Sequence, residues 1–226
     1  MRVLVTGFEP FGGDDANASA DAVRALAAAD AIPGVELVTA ILPVSFARAP
    51  AALAAAVEST RPDAVLSVGE AGGRTAVTPE RFAANERVAR IPDNDGARPA
   101  GPIDDGPELL AGGLDVDAAV AACRAAGVAA EPSDDAGRFV CNAVFRAALT
   151  CFDGPAGFVH VPALRASGAS ARVGAETDEN PAAPGPTDAL TVLDLARALG
   201  AVISTLPAPP RGGGDSARMG AWARFG

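Results

Sequence analysis

The chain contains no lysine and no tyrosine, a single histidine, a single tryptophan and three cysteines among 226 residues. Each scarcity removes a class of function. Without lysine, a Walker-type phosphate loop cannot be built, and no G-x-G-x-x-G follows the first apolar run. Three cysteines at irregular spacing give no disulfide framework, and no C-x-x-C pair offers zinc a site. No apolar run approaches the roughly 20 residues of a membrane span. The N-terminus runs straight into Val3-Leu4-Val5, without the long apolar core of a secretory signal. The net charge is −10 and every cation is an arginine. Such a surface repels phosphate backbones, and no basic aromatic stripe reverses that, so nucleic acid is not an expected partner. Together these absences predict a cytoplasmic protein with reduced thiols, no cofactor, no metal and no membrane partner.

What is present reads as a globular α/β chain. Half of the residues are hydrophobic, much of that content being alanine, which suits helices packed closely on a sheet. Short apolar runs at 3–6, 35–42, 64–68 and 157–161 read as strands, with a brief one at 128–131. Helical patterns cover 20–29 with Ser19 as its cap, then 47–60, 116–126, 139–149 and 187–204. Strands alternating with helices predict a mostly parallel twisted sheet with helices on both faces, in one domain over 1–206. Residues 75–115 lack periodicity and read as a long active-site loop, and 169–186 as a second loop. From Pro207 the chain turns to proline, glycine and polar residues, a flexible tail over 207–226 unless Trp222 and Phe225 make an oligomer contact.

Ligands of open α/β sheets sit at the carboxyl ends of strands. Three unusual stretches fall there: Gly7 to Gly13, Gly69 to Arg74, and His160 just before Pro162. Phe8 and Phe11 in the first suit an apolar pocket. His160 must carry any histidine chemistry, the alternative being a strand-end imidazole satisfied by backbone. Cys141 follows the Gly137 break at the start of a helix, where dipole and free N–H groups are expected to lower a thiol pKa and to hold an oxyanion. The competing reading is a small buried hydrophobe, the one favoured for Cys123 and Cys151. Glu80 and Arg81, taken alone, read as a solvated charge pair. The residues by themselves support a Cys–His hydrolase and no more.

Five stretches in order carry a resemblance. They are Thr6-Gly7-Phe8-Glu9-Pro10-Phe11-Gly12-Gly13, Gly72-Gly73-Arg74 with Thr78-Pro79-Glu80-Arg81, Arg90-Ile91-Pro92-Asp93-Asn94 with Gly96, Ala136-Gly137 through Cys141-Asn142, and Gly157 to Pro162. The chain resembles the pyroglutamyl-peptidase I family, also called pyrrolidone-carboxylate peptidases, collinearly from Val3 to about Pro162. The resemblance implies an α/β/α sandwich and cleavage after an N-terminal pyroglutamate of a small peptide. It implies Cys141 as nucleophile, His160 as general base and Glu80 as orienting carboxylate, with a thioester intermediate. The lactam pocket then maps onto Phe8, Phe11, Ile91, Phe139 and Val140, with Asn17 and the backbone of Glu70 at the amide. The N–H of Cys141 and backbone near Arg90 would face the oxyanion. Val44 stands at a pocket position where the family often carries threonine, and Glu70 where it carries a neutral residue. Ala143 and Arg146 replace bulkier apolar residues. The resemblance also implies a homo-oligomer, often a tetramer. The rival expectations are a binding module without catalysis and an amidase for another small blocked group.

Overall fold

A computed structural model describes residues 1–164 and 190–207. The loop expected at 169–186, the first residues of the helix expected from Thr187, and nearly all of the proposed tail, with Trp222 and Phe225, lie outside the described residues.

The central sheet has strand order β2-β1-β3-β9-β4. Strands β1 (Arg2–Phe8), β2 (Glu36–Leu42), β3 (Ala64–Ala71) and β9 (Ala156–Pro162) run parallel. The short β4 (Thr78–Pro79) pairs antiparallel with β9 at the edge. The sheet is thus mostly parallel, as the alternation of elements predicts. Side chains alternate across it, as a period of two requires. Val3, Val5, Leu66, Val68, Val159 and Val161 face one apolar cluster, which contains helices α1 (Ala18–Ala28), α3 (Val116–Ala125) and α5 (Val192–Ser204). Leu4, Phe8, Val65 and Phe158 face the other, with α2 (Arg48–Thr60) and α4 (Val140–Cys151). The result is an α/β/α sandwich. His160 lies two residues after Phe158 and so turns toward the α4 face.

Several boundaries move for identifiable reasons. Asn17, not Ser19, caps α1: its Oδ1 accepts from the Ser19 N–H at 2.9 Å, so the helix begins at Ala18. Helix α5 begins at Val192 because Thr191 and Asp194 form a capping box in front of it. The strand expected at 128–131 survives only as one isolated bridge, Val77 to Ala130, with a second, Glu80 to Ser133, just beyond it. The segment 75–115 is no bare loop. It holds β4 and two small antiparallel pairs, β5 (Phe82–Ala84) with β8 (Leu109–Ala111) and β6 (Arg87–Val88) with β7 (Ala100–Gly101). Two buried side chains from α4 pin it. Asn142 bonds the backbone N–H and C=O of Ala84 at 2.8 and 2.9 Å. Arg146 makes a bidentate pair with Asp104, both bonds 2.7 Å, and reaches the Pro107 carbonyl at 2.8 Å. Arg146 therefore replaces apolar packing with a ligature between helix and segment.

Candidate active site

The strands β1 and β3 are neighbours whose following loops diverge, which opens a crevice at their carboxyl ends. Cavity-lining residues come from three directions: Phe8, Phe11 and Asn17 after β1, Glu70 and His160 at the ends of β3 and β9, and Phe139, Val140 and Cys141 from the start of α4. Val44 and Ala136 complete the wall. Ala136 is the lining residue that the sequence alone did not single out. Phe139 is held between Phe11, at a ring separation of 6.1 Å, and Phe46, edge-on at 5.2 Å. Ile91 packs against this same apolar cluster without lining the cavity. Arg90 is exposed, and its carbonyl is taken by the Arg98 guanidinium at 2.9 Å.

The placement of Cys141 follows from the turn before it. Gly137 has φ +77°, a left-handed conformation that L side chains rarely adopt. The chain reverses there, Phe139 takes the N-cap position, and Cys141 becomes the second residue of α4. First-turn N–H groups have no carbonyl partner within a helix, so this end points donors at the cavity. His160 arrives from β9 directly opposite Gly69 of β3. The absence of a side chain at Gly69 lets the two functional groups meet. A methyl group there would lie 2.7 Å from the Cys141 Sγ and 3.0 Å from the His160 Cδ2, so thiol and imidazole converge on one point.

Glu80 follows β4, whose Thr78 pairs with His160. Its backbone N–H bonds the Phe158 carbonyl at 2.9 Å, which brings the side chain behind the imidazole. Oε1 of Glu80 lies 2.8 Å from Nδ1 of His160, and both residues are buried. The reading of Glu80 with Arg81 as a solvated surface pair is thereby corrected. Only Arg81 faces solvent, paired with Asp117 and Asp134. The same Oε1 accepts from Nη1 of Arg74 at 2.6 Å. Arg74 belonged to a noticed motif but had no assigned role; its buried partner could be found only in three dimensions.

The thiol differs from expectation. Burial, followed by the charges of Glu80 and Glu70, pushes the Cys141 pKa up to about 12, against weaker help from Arg74 and its own backbone N–H. The helix end is outweighed because the site is enclosed and two carboxylates face it. Enclosure and the facing carboxylates thus disfavour the thiolate. Burial also raises Cys123, to about 11, and Cys151. Both are core residues, as expected, whereas Cys141 is partly open to the cavity.

The polar residues of the pocket are largely committed. Asn17 Oδ1 accepts from both the N–H and the hydroxyl of Ser19, at 2.9 and 2.7 Å, and Nδ2 donates to the Glu9 carbonyl at 3.0 Å. Glu70 is buried and uses its side chain, not only its backbone: Oε2 accepts the Ala18 N–H at 2.6 Å, at the positive end of α1. Val44 is tied through its N–H to Glu9 Oε1 at 3.1 Å, and Asn94 donates to the same oxygen at 2.8 Å. No cluster of three or more metal-ligating side chains occurs among the described residues. No described helix is long and apolar enough to cross a membrane.

The sequence pattern of the pyroglutamyl peptidase family matches residues 1–177. The pyrrolidone-carboxylate peptidase of Streptococcus pyogenes serotype M5 is 44% identical over 169 residues, which cover 72% of this chain and 78% of that relative. Among solved structures, pyroglutamyl peptidase I of Bacillus amyloliquefaciens superposes with a TM-score of 0.77 at 32% identity, covering 91% of this chain and 96% of that one. The pyrrolidone carboxyl peptidase of Thermococcus litoralis gives a TM-score of 0.75 at 29% identity, covering 91% and 92%. The chain therefore belongs to the pyroglutamyl peptidase family and is a hydrolase of that family.

Proposed function

We propose that this enzyme removes an N-terminal pyroglutamyl residue from small peptides through a Cys141–His160–Glu80 triad and a thioester intermediate. The observation that carries the reading is the convergence of the Cys141 Sγ and the His160 ring on Gly69, with Glu80 buried at Nδ1. Glu80 fixes the tautomer with Nδ1 protonated, leaving Nε2 as the base. Nε2 takes the thiol proton as Sγ attacks the carbonyl that links pyroglutamate to the next residue. The tetrahedral oxyanion faces the first-turn N–H groups of α4. It collapses with cleavage of the C–N bond, and imidazolium gives its proton to the leaving amine. Water, deprotonated by Nε2, then attacks the thioester, releasing pyroglutamate and restoring the thiol.

A raised thiol pKa suits this order of events. Proton transfer accompanies attack, so the anion forms only when a carbonyl is there to receive it. The walls support a flat, uncharged ring: Phe8, Phe11, Phe139 and Val140 supply apolar contact. In this reading the second hydrogen of Asn17 Nδ2 serves the lactam carbonyl, and the backbone of Glu70 the lactam N–H. Free glutamate would carry its charge into this cavity beside Glu70, at a desolvation and repulsion cost.

The test is turnover of pyroglutamyl, prolyl and glutamyl amides of one fluorophore. A site that hydrogen-bonds a lactam rejects proline by on the order of 10⁴-fold. Equal turnover of the prolyl and pyroglutamyl amides would rule out the lactam pocket. Turnover of a different blocked amide alone would favour an amidase, and turnover of none a binding module.

A further inference from the structure

The catalytic constellation has a fourth member. We infer that Arg74 is a positioning residue that aims Oε1 of Glu80 at His160 and sets a fixed positive charge against the Glu80–His160 pair. The inference rests on the triad reading but extends it to a residue that does not line the cavity.

One carboxylate oxygen is shared. Glu80 Oε1 takes His160 Nδ1 at 2.8 Å and Arg74 Nη1 at 2.6 Å, while the carboxylate is fully buried and the guanidinium 6% exposed. A carboxylate buried without a counter-charge takes up a proton, and a protonated Glu80 could not stabilise an imidazolium. Arginine stays charged at any pH the enzyme meets, which lysine in an enclosed site does not guarantee.

The guanidinium also ties together the segments that carry the triad. Its Nη1 contacts the Thr78 hydroxyl, and Thr78 is the register partner of His160 on β9. Its Nη2 donates to the Asp135 carbonyl at 2.9 Å and to the Ser133 hydroxyl at 3.3 Å. Asp135 in turn accepts the Gly137 N–H at 2.8 Å, the turn that launches α4 and sets Cys141. A planar fork can hold these partners together; a single ammonium point cannot. Among the described residues, the charges acting on the thiol are Glu80, Glu70 and Arg74; Glu80 also bonds the imidazole, and Glu131 shares a polar cleft with Arg74. All three carboxylates remain in R74Q and R74K, so a difference between either of those variants and wild type reports on Arg74.

Because His160 is the only histidine in the chain, the imidazole titration of tag-free protein reports one residue without assignment. The experiment measures that NMR titration, together with the pH profile of kcat/KM on a pyroglutamyl amide, in wild type, R74Q, R74K and E80Q. Removing a positive charge raises the proton affinity of the coupled Glu80–His160 pair. The R74Q midpoint and acid limb are therefore expected to move upward by about one to two pH units. R74K keeps the charge and loses the fork. Its midpoint should stay within about half a unit while kcat falls by roughly tenfold or more. E80Q should shift the midpoint downward. An R74Q enzyme with both midpoint and acid limb unmoved, and only a lower Tm, would overturn the proposal. Should R74Q fail to fold, R74K with wild-type kcat across the profile would overturn it equally. Turnover by C141A would instead sink the triad, and it leaves the titration comparison readable.

Discussion

Replacing Gly69 by alanine tests the convergence at the centre of the site. The new Cβ would lie 2.7 Å from Cys141 Sγ, 2.9 Å from Phe158 Cζ and 3.0 Å from His160 Cδ2. Relaxed carbon contacts fall near 3.5–4.0 Å, so each neighbour must give by roughly 0.5–1 Å. Phe158 cannot absorb this. It is fully buried and packed on Phe8, Phe145 and His160, with ring separations of 6.5, 5.6 and 4.8 Å. The thiol and imidazole must therefore move apart. A misplacement of about 1 Å costs on the order of 10²-fold in rate. Overpacking costs about 1–3 kcal/mol of stability, with a fall in Tm of roughly 2–4 °C per kcal/mol at this chain length. The assay is steady-state hydrolysis of a pyroglutamyl amide beside a thermal melt, with the loss expected in kcat rather than KM. A G69A enzyme with wild-type kcat would show that Cys141 and His160 do not need to meet across this residue.

Other perturbations have equally definite outcomes. Iodoacetamide should label Cys141 well before the buried Cys123 and Cys151 because only Cys141 opens on the cavity. With its pKa raised, the labelling rate should still climb above about pH 9; a plateau near neutrality would reveal a resting thiolate–imidazolium pair. Asp104→Ala strands the fully buried Arg146 and should cost about 3–5 kcal/mol in denaturant melts. Asp104 has its pKa lowered chiefly by the bond from Arg146, so its contribution is present above its unfolded value and lost as pH falls through the folded one. Stability of the D104A variant that matches wild type at neutral pH would contradict this account of the 75–115 segment. Chelators should leave activity unchanged, and loss in EDTA with recovery in zinc would contradict the thiol mechanism.

The sequence made the scaffold legible because its strands are short apolar runs with clear breakers, and because periods of two and 3.6 separate cleanly in an alanine-rich chain. Its helix starts were less legible. Asn17 and Thr191 cap through side chains whose partners lie two and three residues on, and Ser19, the cap expected from sequence, lies inside the helix with its hydroxyl bonding Asn17. The segment 75–115 hid its strands because they are two or three residues long and held by long-range ligatures from Asn142 and Arg146. Cys141 and His160 could be singled out as candidates because each sits beside a chain break at a strand or helix end. Glu80 could not be read from its neighbours. Its burial depends on a sheet pairing 82 residues away in sequence, Thr78 with His160. The direction of the thiol pKa shift is hidden in sequence for a related reason. A helix end is visible in sequence, but the enclosure of Sγ and the approach of Glu70 and Glu80 are not.

The central claim is that Cys141 takes the pyroglutamyl group onto its sulfur. Acid-quenched turnover of a pyroglutamyl ester, followed by peptide mapping and mass spectrometry, tests it most directly. The account predicts a mass gain of one pyroglutamyl group on the peptide that holds Cys141, absent in C141A and accumulating when the ester acylates faster than water clears the thioester. A pyroglutamyl adduct on Cys123, Cys151 or a hydroxyl, or undiminished turnover by C141A, would contradict it.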